Sequence, residues 1–319
     1  MKSWIIMRKG LRINKLFEDH MILVVGTGLF AGAIFHRHFI YLRPFVPFLF
    51  AYITFAMALG CSSQEFKNAL KTPGNLIVIL TFLHLALPIL ATSLARLFLP
   101  GQSLLQAGII LVTAAPIGVG ATIWTGIAGG NVALALTAIV LDTFLSPLIT
   151  PIIMSLTVGK SIPVDIPQLA TGLALMIVLP TILGMLLQYL TKNELGRRYK
   201  FITGPTTKII LSLIIAINLA VIWNSLHLLQ SSLATVFGLV LTVSCSGFLS
   251  GYVWGKLTKS LLSIRNTFIF TIGVRNITAG LVLALNYFPE LTAVPVVFSI
   301  LFQQPLAALS LSFLVRKGR

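Results

Sequence analysis

Two long apolar stretches of this chain are interrupted near their middles by residues that break helices. The first covers residues 103–129 and carries APIGVG at 115–120, and the second covers residues 265–287 and carries TIGVRN at 271–276. Hydrocarbon cannot hydrogen-bond loose backbone groups, so such breaks persist only where protein or a water-filled cavity satisfies them. A matched pair of breaks, one in each half of a chain, is typical of the binding site of a secondary transporter. The pattern therefore predicts a carrier.

The composition places the chain in a membrane. Apolar residues make up 57% of it and charged residues only 9%, whereas soluble domains carry roughly 25% charged residues. The net charge of +16 is spread in short basic clusters between apolar spans, which favours membrane orientation over nucleic-acid binding. The two cysteines, Cys61 and Cys245, offer neither a disulfide framework nor a metal cluster. We expect an integral membrane protein surrounded by lipid, with no nucleic-acid partner and no obligate protein partner.

Windows of about 20 apolar residues predict an all-α fold of about ten transmembrane helices. The predicted spans are residues 20–36, 39–60, 74–98, 102–129, 131–158, 166–190, 208–229, 233–256, 264–286 and 290–315. The two broken stretches are the fourth and the ninth of these spans.

The basic residues indicate the orientation, since cytoplasmic loops are enriched in Lys and Arg. With the N-terminus in the cytoplasm, 18 basic residues fall in inner segments and 4 in outer segments, and Arg275 is left within the membrane. The outer four are Arg37, Arg43, Arg96 and Lys160. This asymmetry predicts that both termini are cytoplasmic, and we expect the membrane to be a bacterial plasma membrane.

Ten spans with both termini on one side divide into two sets of five, at residues 20–158 and 159–315. A cytoplasmic tail at 1–19 precedes them and a second tail at 316–319 follows. An odd number of spans in each half gives the halves opposite topologies, and inverted repeats are the usual architecture of alternating-access carriers. The broken span is the fourth in each half. No residue-level identity links the halves, so the predicted repeat rests on hydropathy and on the positions of the breaks.

Four polar or helix-breaking residues are predicted near the middle of the bilayer: Asp142, Arg275, Pro116 and Gln303. At a rise of about 1.5 Å per residue, Asp142 and Arg275 lie roughly 15 Å from the inner surface. A charge at that depth costs about 2.5–3.5 kcal/mol on insertion scales, so it usually faces a cavity or another charge. Arg275 is a candidate for binding substrate anions or for pairing with Asp142. Asp142 is a candidate counter-ion, proton carrier or cation ligand.

The residues expected to break the fourth and ninth helices are Pro116, Gly118, Gly120 and Gly273. The glycines could instead serve close packing, as Gly28 and Gly32 of the first span are expected to do. Pro116, however, removes a backbone donor four residues before Gly120. That combination favours real unwinding, in which freed carbonyls could coordinate an ion and half-helix N-termini could face an anion.

Other polar residues of the spans are weaker ligand candidates, because Ser and Thr in membrane helices mostly bond their own backbone. They are Thr122, Thr125, Asn131, Asn276, Thr278 and Gln303. Asn131 is explained more simply as the cap of the fifth helix, after Gly129 and Gly130. His84 in the third span is isolated in the sequence, and we interpret it as a packing histidine rather than a proton relay.

The fourth and fifth spans contain GNVAL at 130–134, SPL at 146–148 and TP at 150–151, and the ninth contains Gly273-x-x-Asn276. With these motifs, most of the chain resembles the bile acid:sodium symporter family of ten-helix carriers. The resemblance implies a panel domain of spans 1, 2, 6 and 7 and a core domain of spans 3–5 and 8–10. In the core, helices four and nine would cross at their unwound points. The resemblance also implies a small organic anion as substrate, such as a bile acid, a pantoate-like hydroxy acid or a keto acid.

The chain departs from this family at the sodium ligands. Sodium-coupled members carry Glu-x-Gly-x-Gln-Asn at the ninth-helix crossover, where this chain has Thr271 in place of the acid and Arg275 in place of the glutamine. The other sodium ligands of the family, a Ser-Asn pair in helix four and hydroxyls in helix five, fall on Ala121, Thr122, Ala135 and Ile139. Hard cations prefer charged oxygen ligands, so this chain is poorly equipped to hold two sodium ions.

Arg275 brings a fixed positive charge to the place where sodium would lie. We hypothesise that it replaces the cation as the counter-charge for an anionic substrate. Transport would then be uniport, exchange or proton-linked through Asp142, and sodium dependence becomes a property to test. The further candidate substrate contacts are Thr271, Thr122, Thr125, Asn276 and Gln303.

Other classes of protein fit the sequence less well. An auxin-efflux-like carrier also has two crossing broken helices, and a proton-linked organic anion exporter is a related alternative. An arsenite permease needs a thiol in the fourth span, and a sodium/proton antiporter needs paired carboxylates where only Asp142 is present. The spans contain no enzyme motif and no phosphate-binding loop, so we expect neither an enzyme, nor direct ATP drive, nor a cofactor. A non-transporting membrane sensor is the alternative from a different class.

Overall fold

The computed structural model of the protein describes residues 2–59, 73–159, 161–192, 194–223 and 232–317. Within these ranges the chain is helical and contains no β-strand. The α-helices in chain order are α1 (Lys2–Asp19), α2 (Met21–Ile34), α3 (His36–Phe39), α4 (Val46–Ala58), α5 (Pro73–Thr81), α6 (Leu87–Phe98), α7 (Ser103–Ala114), α8 (Gly120–Ile127), α9 (Val132–Val158), α10 (Ile166–Leu173), α11 (Leu179–Leu190), α12 (Glu194–Ile222), α13 (Leu233–Leu257), α14 (Leu262–Gly273), α15 (Ile277–Tyr287) and α16 (Ala293–Lys317).

Seven helical segments of the described chain are long and apolar enough to cross a membrane. They are His36–Ala58, Pro73–Phe98, Val132–Val158, Ile166–Leu190, Arg198–Ile222, Leu233–Leu257 and Glu290–Leu314. Three shorter apolar helices, Leu23–Ile34, Ser103–Ala114 and Ile277–Tyr287, fall within the predicted first, fourth and ninth spans. These findings confirm the prediction of an all-helical integral membrane protein.

Hydropathy misplaces one boundary of the seventh predicted span. That span was predicted at residues 208–229, but α12 begins at Glu194 and ends at Ile222, and residues 224–229 lie outside the described chain. The prediction missed the start of this helix because its first turns are polar, and hydropathy detects only the apolar part of a helix. The predicted tail at 1–19 is largely helical as well, and its helix α1 packs against α12.

The chain forms two compact units. The first unit comprises residues 1–63 and 174–224, and the second comprises residues 64–173 and 225–319. The first unit therefore contains predicted spans 1, 2 and 7 with most of span 6, and the second contains spans 3–5 and 8–10. This grouping agrees with the panel and core domains that the family resemblance implies, with the division falling inside span 6.

In the first unit, α2 packs along α12 through two glycines. A Cβ atom at Gly28 would lie 2.5 Å from the carbonyl oxygen of Ser212, and one at Gly32 would lie 2.5 Å from the carbonyl oxygen of Ala216. Both neighbours are backbone atoms, so a side chain at either position would separate the helices. The predicted close-packing role of Gly28 and Gly32 is confirmed.

In the second unit, prolines shape two of the spans. A π-helical turn at Phe82–Ala86 joins α5 to α6, and Pro88 follows it. Since proline has no N–H, it removes the α-helical hydrogen bond to the carbonyl of His84, and the wider turn forms there. Helix α9 stays continuous through its prolines, because the Ser146 hydroxyl donates to the Thr143 carbonyl at 2.9 Å, the carbonyl that Pro147 leaves without its usual donor.

The centre of the second unit is an apolar cluster that surrounds the two breaks. Its fully or nearly fully buried members include Ile79, Leu83, Ile117, Ala121, Ile139, Phe268, Phe270, Ile272 and Val274. Residues from both interrupted stretches therefore share one core with α5 and α9. This packing holds the two breaks together in the interior of the unit.

Candidate functional site at the crossover of two broken helices

Both predicted helix breaks are present. Helix α7 ends at Ala114, the backbone is extended at Ala115 (φ −62°, ψ 144°), and the helix resumes as α8 at Gly120. Helix α14 ends at Gly273, the backbone is extended at Val274 (φ −97°, ψ 113°), and the helix resumes as α15 at Ile277. We call residues 115–119 and 274–276 together the crossover. The unwinding predicted for these segments is confirmed.

The two breaks satisfy each other's backbone groups. Ile117 and Arg275 form an antiparallel bridge. The Gly118 amide donates to the Val274 carbonyl at 3.0 Å, and the Asn276 amide donates to the Pro116 carbonyl at 2.7 Å. Buried backbone groups need such partners, so protein rather than lipid satisfies part of the freed backbone.

Glycine at position 118 is required by this close approach. A Cβ atom there would lie 2.6 Å from the carbonyl oxygen of Arg275 and 2.9 Å from its carbonyl carbon. Gly120 has much more room, with Val274 Cγ1 as its nearest neighbour at 3.9 Å. Gly273 would place a Cβ 2.5 Å from the Phe248 ring. Gly118 is thus the glycine that lets the two main chains cross.

Three side chains from neighbouring helices satisfy further backbone groups at the two breaks. The Ile117 amide donates to Asp142 Oδ2 at 2.5 Å, and the Arg275 amide donates to Gln303 Oε1 at 2.9 Å. Asp142 and Gln303 therefore hold one break each. Both residues were predicted at the depth of the breaks, and the structure places both against the crossover.

Thr150 is a third residue of this kind, and sequence reasoning missed it. Its hydroxyl donates at 2.9 Å to the carbonyl of Ala114, the last residue of α7, and Thr150 is fully buried. The available signal was spacing, since Asp142, Ser146 and Thr150 recur every four residues and so share one face of α9. Each of the three is fully buried.

Two asparagines cap the helices that leave the site. The Asn131 side chain accepts from the Leu134 amide at 3.0 Å, so the predicted cap of the fifth span is confirmed. The Asn276 side chain accepts from the Ala279 amide at 3.1 Å. Asn276 was predicted as a candidate ligand, and in this structure its oxygen serves as the N-cap of α15.

The candidate threonines lie beside the crossover. The Thr271 hydroxyl donates to the Thr267 carbonyl at 2.7 Å, and the Thr122 hydroxyl donates to the Val119 carbonyl at 2.8 Å. Both therefore bond their own helices, as hydroxyls in membrane helices mostly do. Thr125 is fully buried, and its hydroxyl has no hydrogen-bond partner among the described residues.

Arg275 brings an incompletely paired positive charge to the crossover. It is 6% exposed, and its Nη2 atom has no hydrogen-bond partner in the described part of the chain. Asp142 acts on it electrostatically, although that carboxylate contacts the side chain of another residue. Arg275 also lines a cavity of about 20 Å³ together with Ser244, Ser299 and Gln303, large enough for one water molecule.

The Asp142 carboxylate contacts the imidazole of His84. His84 Nε2 lies 2.7 Å from Asp142 Oδ1, and the side chains are 11% and 0% exposed. The interpretation of His84 as an isolated packing histidine is therefore wrong. The signal was available from depth, because His84 lies about ten residues into its span and Asp142 about eleven into its own, roughly 15 Å from the same surface. Residue counting shows that two side chains lie at the same depth, but only the packing of the helices decides whether they are in contact.

Comparisons with known proteins place this architecture in a family. The profile of the Sodium Bile acid symporter family matches residues 46–227. YbaS of Bacillus subtilis is 38% identical over 83% of this chain and 86% of its own length. The sodium-dependent transporter YocS of the same organism is 26% identical over 84% of this chain and 83% of its own length. A protein of Oryza sativa subsp. japonica named as the chloroplastic sodium/metabolite cotransporter BASS1 is 28% identical over 81% of this chain and 63% of its own length.

The family match covers more than half of the chain, and YbaS extends the similarity well beyond the matched segment. YocS and the BASS1 protein are named as transporters and not as enzymes, in agreement with the expectation from the sequence. The broken, crossing helices provide the irregular, protein-lined backbone that a carrier site requires. This chain is a membrane transporter that belongs to the sodium bile acid symporter family.

Proposed function

We propose that this protein is a secondary transporter of a small organic anion that works by alternating access. In this proposal Arg275 supplies the fixed positive charge that faces the anion, and the two sodium ions of the family are not required. The observation that carries the proposal is the buried guanidinium of Arg275, with an unpaired Nη2, within a break of the ninth span. A buried charge in a membrane helix is costly, so it is usually retained for a functional partner.

Ten spans in two inverted repeats of five, with both termini in the cytoplasm, form the proposed frame for this movement. The breaks at 115–119 and 274–276 support the repeat, because each falls in the fourth span of its half. The excess of basic residues in the inner segments supports the orientation. An odd number of spans per half makes the two halves opposite in topology, which is the arrangement that alternating access uses.

Arg275 suits an anion better than a point charge would. Its planar guanidinium presents parallel donors that match a carboxylate or sulfonate. The names of the relatives provide the substrate class, since BASS1 is named as a metabolite cotransporter and the family as bile acid symporters. An organic anion of this kind would find one fixed cationic group at the crossover, the guanidinium of Arg275.

The side chains at the family's sodium positions support independence from sodium. Ala135 and Ile139 are buried apolar residues, so they offer no oxygen ligands. The Thr271 and Thr122 hydroxyls donate to their own helices. A hard cation needs several oxygen ligands, preferably carboxylates, and Arg275 would repel a cation from the same place.

The first test is uptake by proteoliposomes that contain the purified protein. The probes are radiolabelled taurocholate, pantoate and pyruvate, each measured in sodium chloride and in choline chloride. We expect at least one probe to be taken up, at rates that agree within about twofold in the two salts. A steep requirement for sodium would refute this proposal, and binding without uptake would instead favour a sensor.

The second test separates the function of Arg275 from a structural role. Arg275→Gln should lower uptake at least tenfold, because the counter-charge is lost, while the melting temperature in detergent falls by only a few degrees. Arg265→Gln is the matched control, since it makes the same chemical change in the same predicted span, ten residues or about 15 Å away. Undiminished anion binding by the Arg275→Gln protein would show that the arginine is structural.

A further inference from the structure

We propose that His84 and Asp142 form a proton-binding site that couples protonation to anion binding at the crossover. The coupling rests on the proposed function, because it needs the anion that Arg275 is proposed to bind. The site itself rests on the geometry of the two side chains alone. Proton coupling would take the place of the sodium gradient as the driving force.

The distance between the two side chains brings a base into contact with an acid. His84 Nε2 and Asp142 Oδ1 are 2.7 Å apart, and both residues are buried. The contact has the distance of an ion pair but not the direction of a hydrogen bond, since neither atom has a hydrogen-bond partner in the described chain. A neutral imidazole can carry its one proton on Nε2, facing the ionised carboxylate, and a second proton gives an imidazolium and a carboxylate that attract each other in a medium of low dielectric constant. The pair is therefore suited to hold one proton and to release it.

The backbone around His84 also indicates a function. His84 lies in the π-helical turn Phe82–Ala86, and single π turns inside α-helices occur frequently at functional sites. A regular helix would direct the side chain differently, because the wider turn changes the phase of the residues within it. Here the turn contains the imidazole that contacts Asp142, the acidic residue predicted near the middle of the membrane.

Few other charged groups share the surroundings of this pair. Of the described elements packed against α9 and the π turn, α14 carries Arg265 and α6 carries Arg96, both near helix ends. Arg96 donates to the Thr157 carbonyl, and Arg265 lies over the Tyr252 ring. Arg275, two residues beyond the end of α14, is the charged group that acts on Asp142. The charge added by protonation of the pair therefore acts chiefly on Arg275 and on the anion.

Asp142 links the proton to the crossover directly. Its second oxygen, Oδ2, accepts the Ile117 amide at 2.5 Å, within the break that pairs with Arg275. With His84 neutral and Asp142 ionised, the three side chains sum to zero charge, and one added proton raises the sum to +1. That proton therefore favours an anion at Arg275, and by linkage a bound anion favours the proton. One proton accompanies one monoanion, so no net charge is moved.

The first experiment tests the proton site without any substrate. The chain contains three aspartates, Asp19, Asp142 and Asp165, so ¹³C-labelled aspartate gives a readable infrared spectrum of protonated carboxyl groups. We expect one band whose intensity changes with pH, which is lost in Asp142→Asn and whose pH dependence is displaced in His84→Gln. A spectrum in which Asp142 does not titrate, or titrates alike with and without His84, would overturn the site.

The second experiment tests the coupling in proteoliposomes with the same labelled anion probes. An inwardly directed proton gradient should accelerate wild-type uptake at least fivefold, and trapped pyranine should report acidification. His84→Gln should lower the ratio of gradient-driven uptake to exchange of labelled for unlabelled anion at least tenfold. His36→Gln is the matched control, because His36 stacks on Trp223 and takes no part in the pair.

The outcomes separate the two proposals. If exchange occurs but a proton gradient does not accelerate wild-type uptake, the coupling is overturned and the anion transporter stands. If His84→Gln keeps the wild-type ratio, the coupling is likewise overturned. If no probe is taken up or exchanged, the proposed function fails, and the infrared titration alone then decides whether the proton site exists.

Discussion

The crossover makes a sharp prediction at Gly118, where an added methyl group would meet backbone of the opposite break. In Gly118→Ala the Cβ would lie 2.6 Å from the Arg275 carbonyl oxygen, and 3.4 Å is the lower limit of ordinary contact. The breaks must therefore separate by about 0.8 Å, the difference of these distances. Neither glycine has a left-handed backbone at 118 or 120, so alanine is allowed conformationally and the effect is purely one of space.

The expected magnitude follows from the contacts that this separation disturbs. Overpacking of a core typically costs about 1–3 kcal/mol. The two hydrogen bonds across the crossover, at 3.0 and 2.7 Å, would be weakened, at about 0.5–1.5 kcal/mol each. The sum is about 2–6 kcal/mol. At roughly 2 °C per kcal/mol for a large domain, the melting temperature should fall by about 4–12 °C.

The assay is thermal unfolding of purified protein in detergent, with anion uptake in proteoliposomes as the functional measurement. Gly120→Ala is the matched control, because its nearest neighbour lies 3.9 Å away and alanine suits the first turn of α8. We expect Gly120→Ala to unfold within about 1–2 °C of wild type and to transport normally, and Gly118→Ala to lose transport as well as stability. Equal melting temperatures for the two variants would refute the claim that main-chain contact at Gly118 holds the crossover.

Two further predictions concern the groups that satisfy the freed backbone. Thr150→Val should lower the free energy of unfolding by about 1–3 kcal/mol, because the buried Ala114 carbonyl loses its donor. Thr157→Val should lower it less, because the Thr157 hydroxyl bonds only its own helix. The opposite order in thermal unfolding would contradict this role of Thr150. Asn276→Ala should lower the free energy of unfolding by about 1 kcal/mol, because α15 loses its N-cap. Asn276→Asp should retain most of this stability, because aspartate also caps helices. If both variants unfold at the temperature of the wild type, the cap does not contribute.

Much of the fold could be predicted from the sequence, because a bilayer imposes a strong and simple pattern. Long apolar runs must be helical, since a helix satisfies its own backbone in hydrocarbon, and each of the ten predicted spans contains helix in the described part of the chain. The breaks could be predicted for the same reason, because proline and glycine interrupt two otherwise continuous runs. The start of α12 could not, since its polar first turns carry no hydropathy signal.

The candidate site was predictable only by depth. Counting residues placed Asp142, Arg275 and Gln303 near the middle of the membrane, and the structure brings all three to the crossover. Counting could also have placed His84 at the depth of Asp142, but a shared depth allows many neighbours. The role of Asn276 as a cap and of Thr150 as a donor depends on where a freed carbonyl or amide lies, which is a property of two segments together.

The sequence by itself determined that this is a membrane protein, that its spans are helical and that two of them are broken. Each of these properties follows from the local balance of apolar and helix-breaking residues along the chain. Only the tertiary structure decided what the breaks meet. Gly118 lies against the main chain of Arg275, and Asp142 lies between the Ile117 amide and His84. Groups at least 25 residues apart are brought together here by packing and not by any local preference. The pairing of the acid with a histidine, which leaves the guanidinium of Arg275 incompletely paired, is thus a property of the folded core.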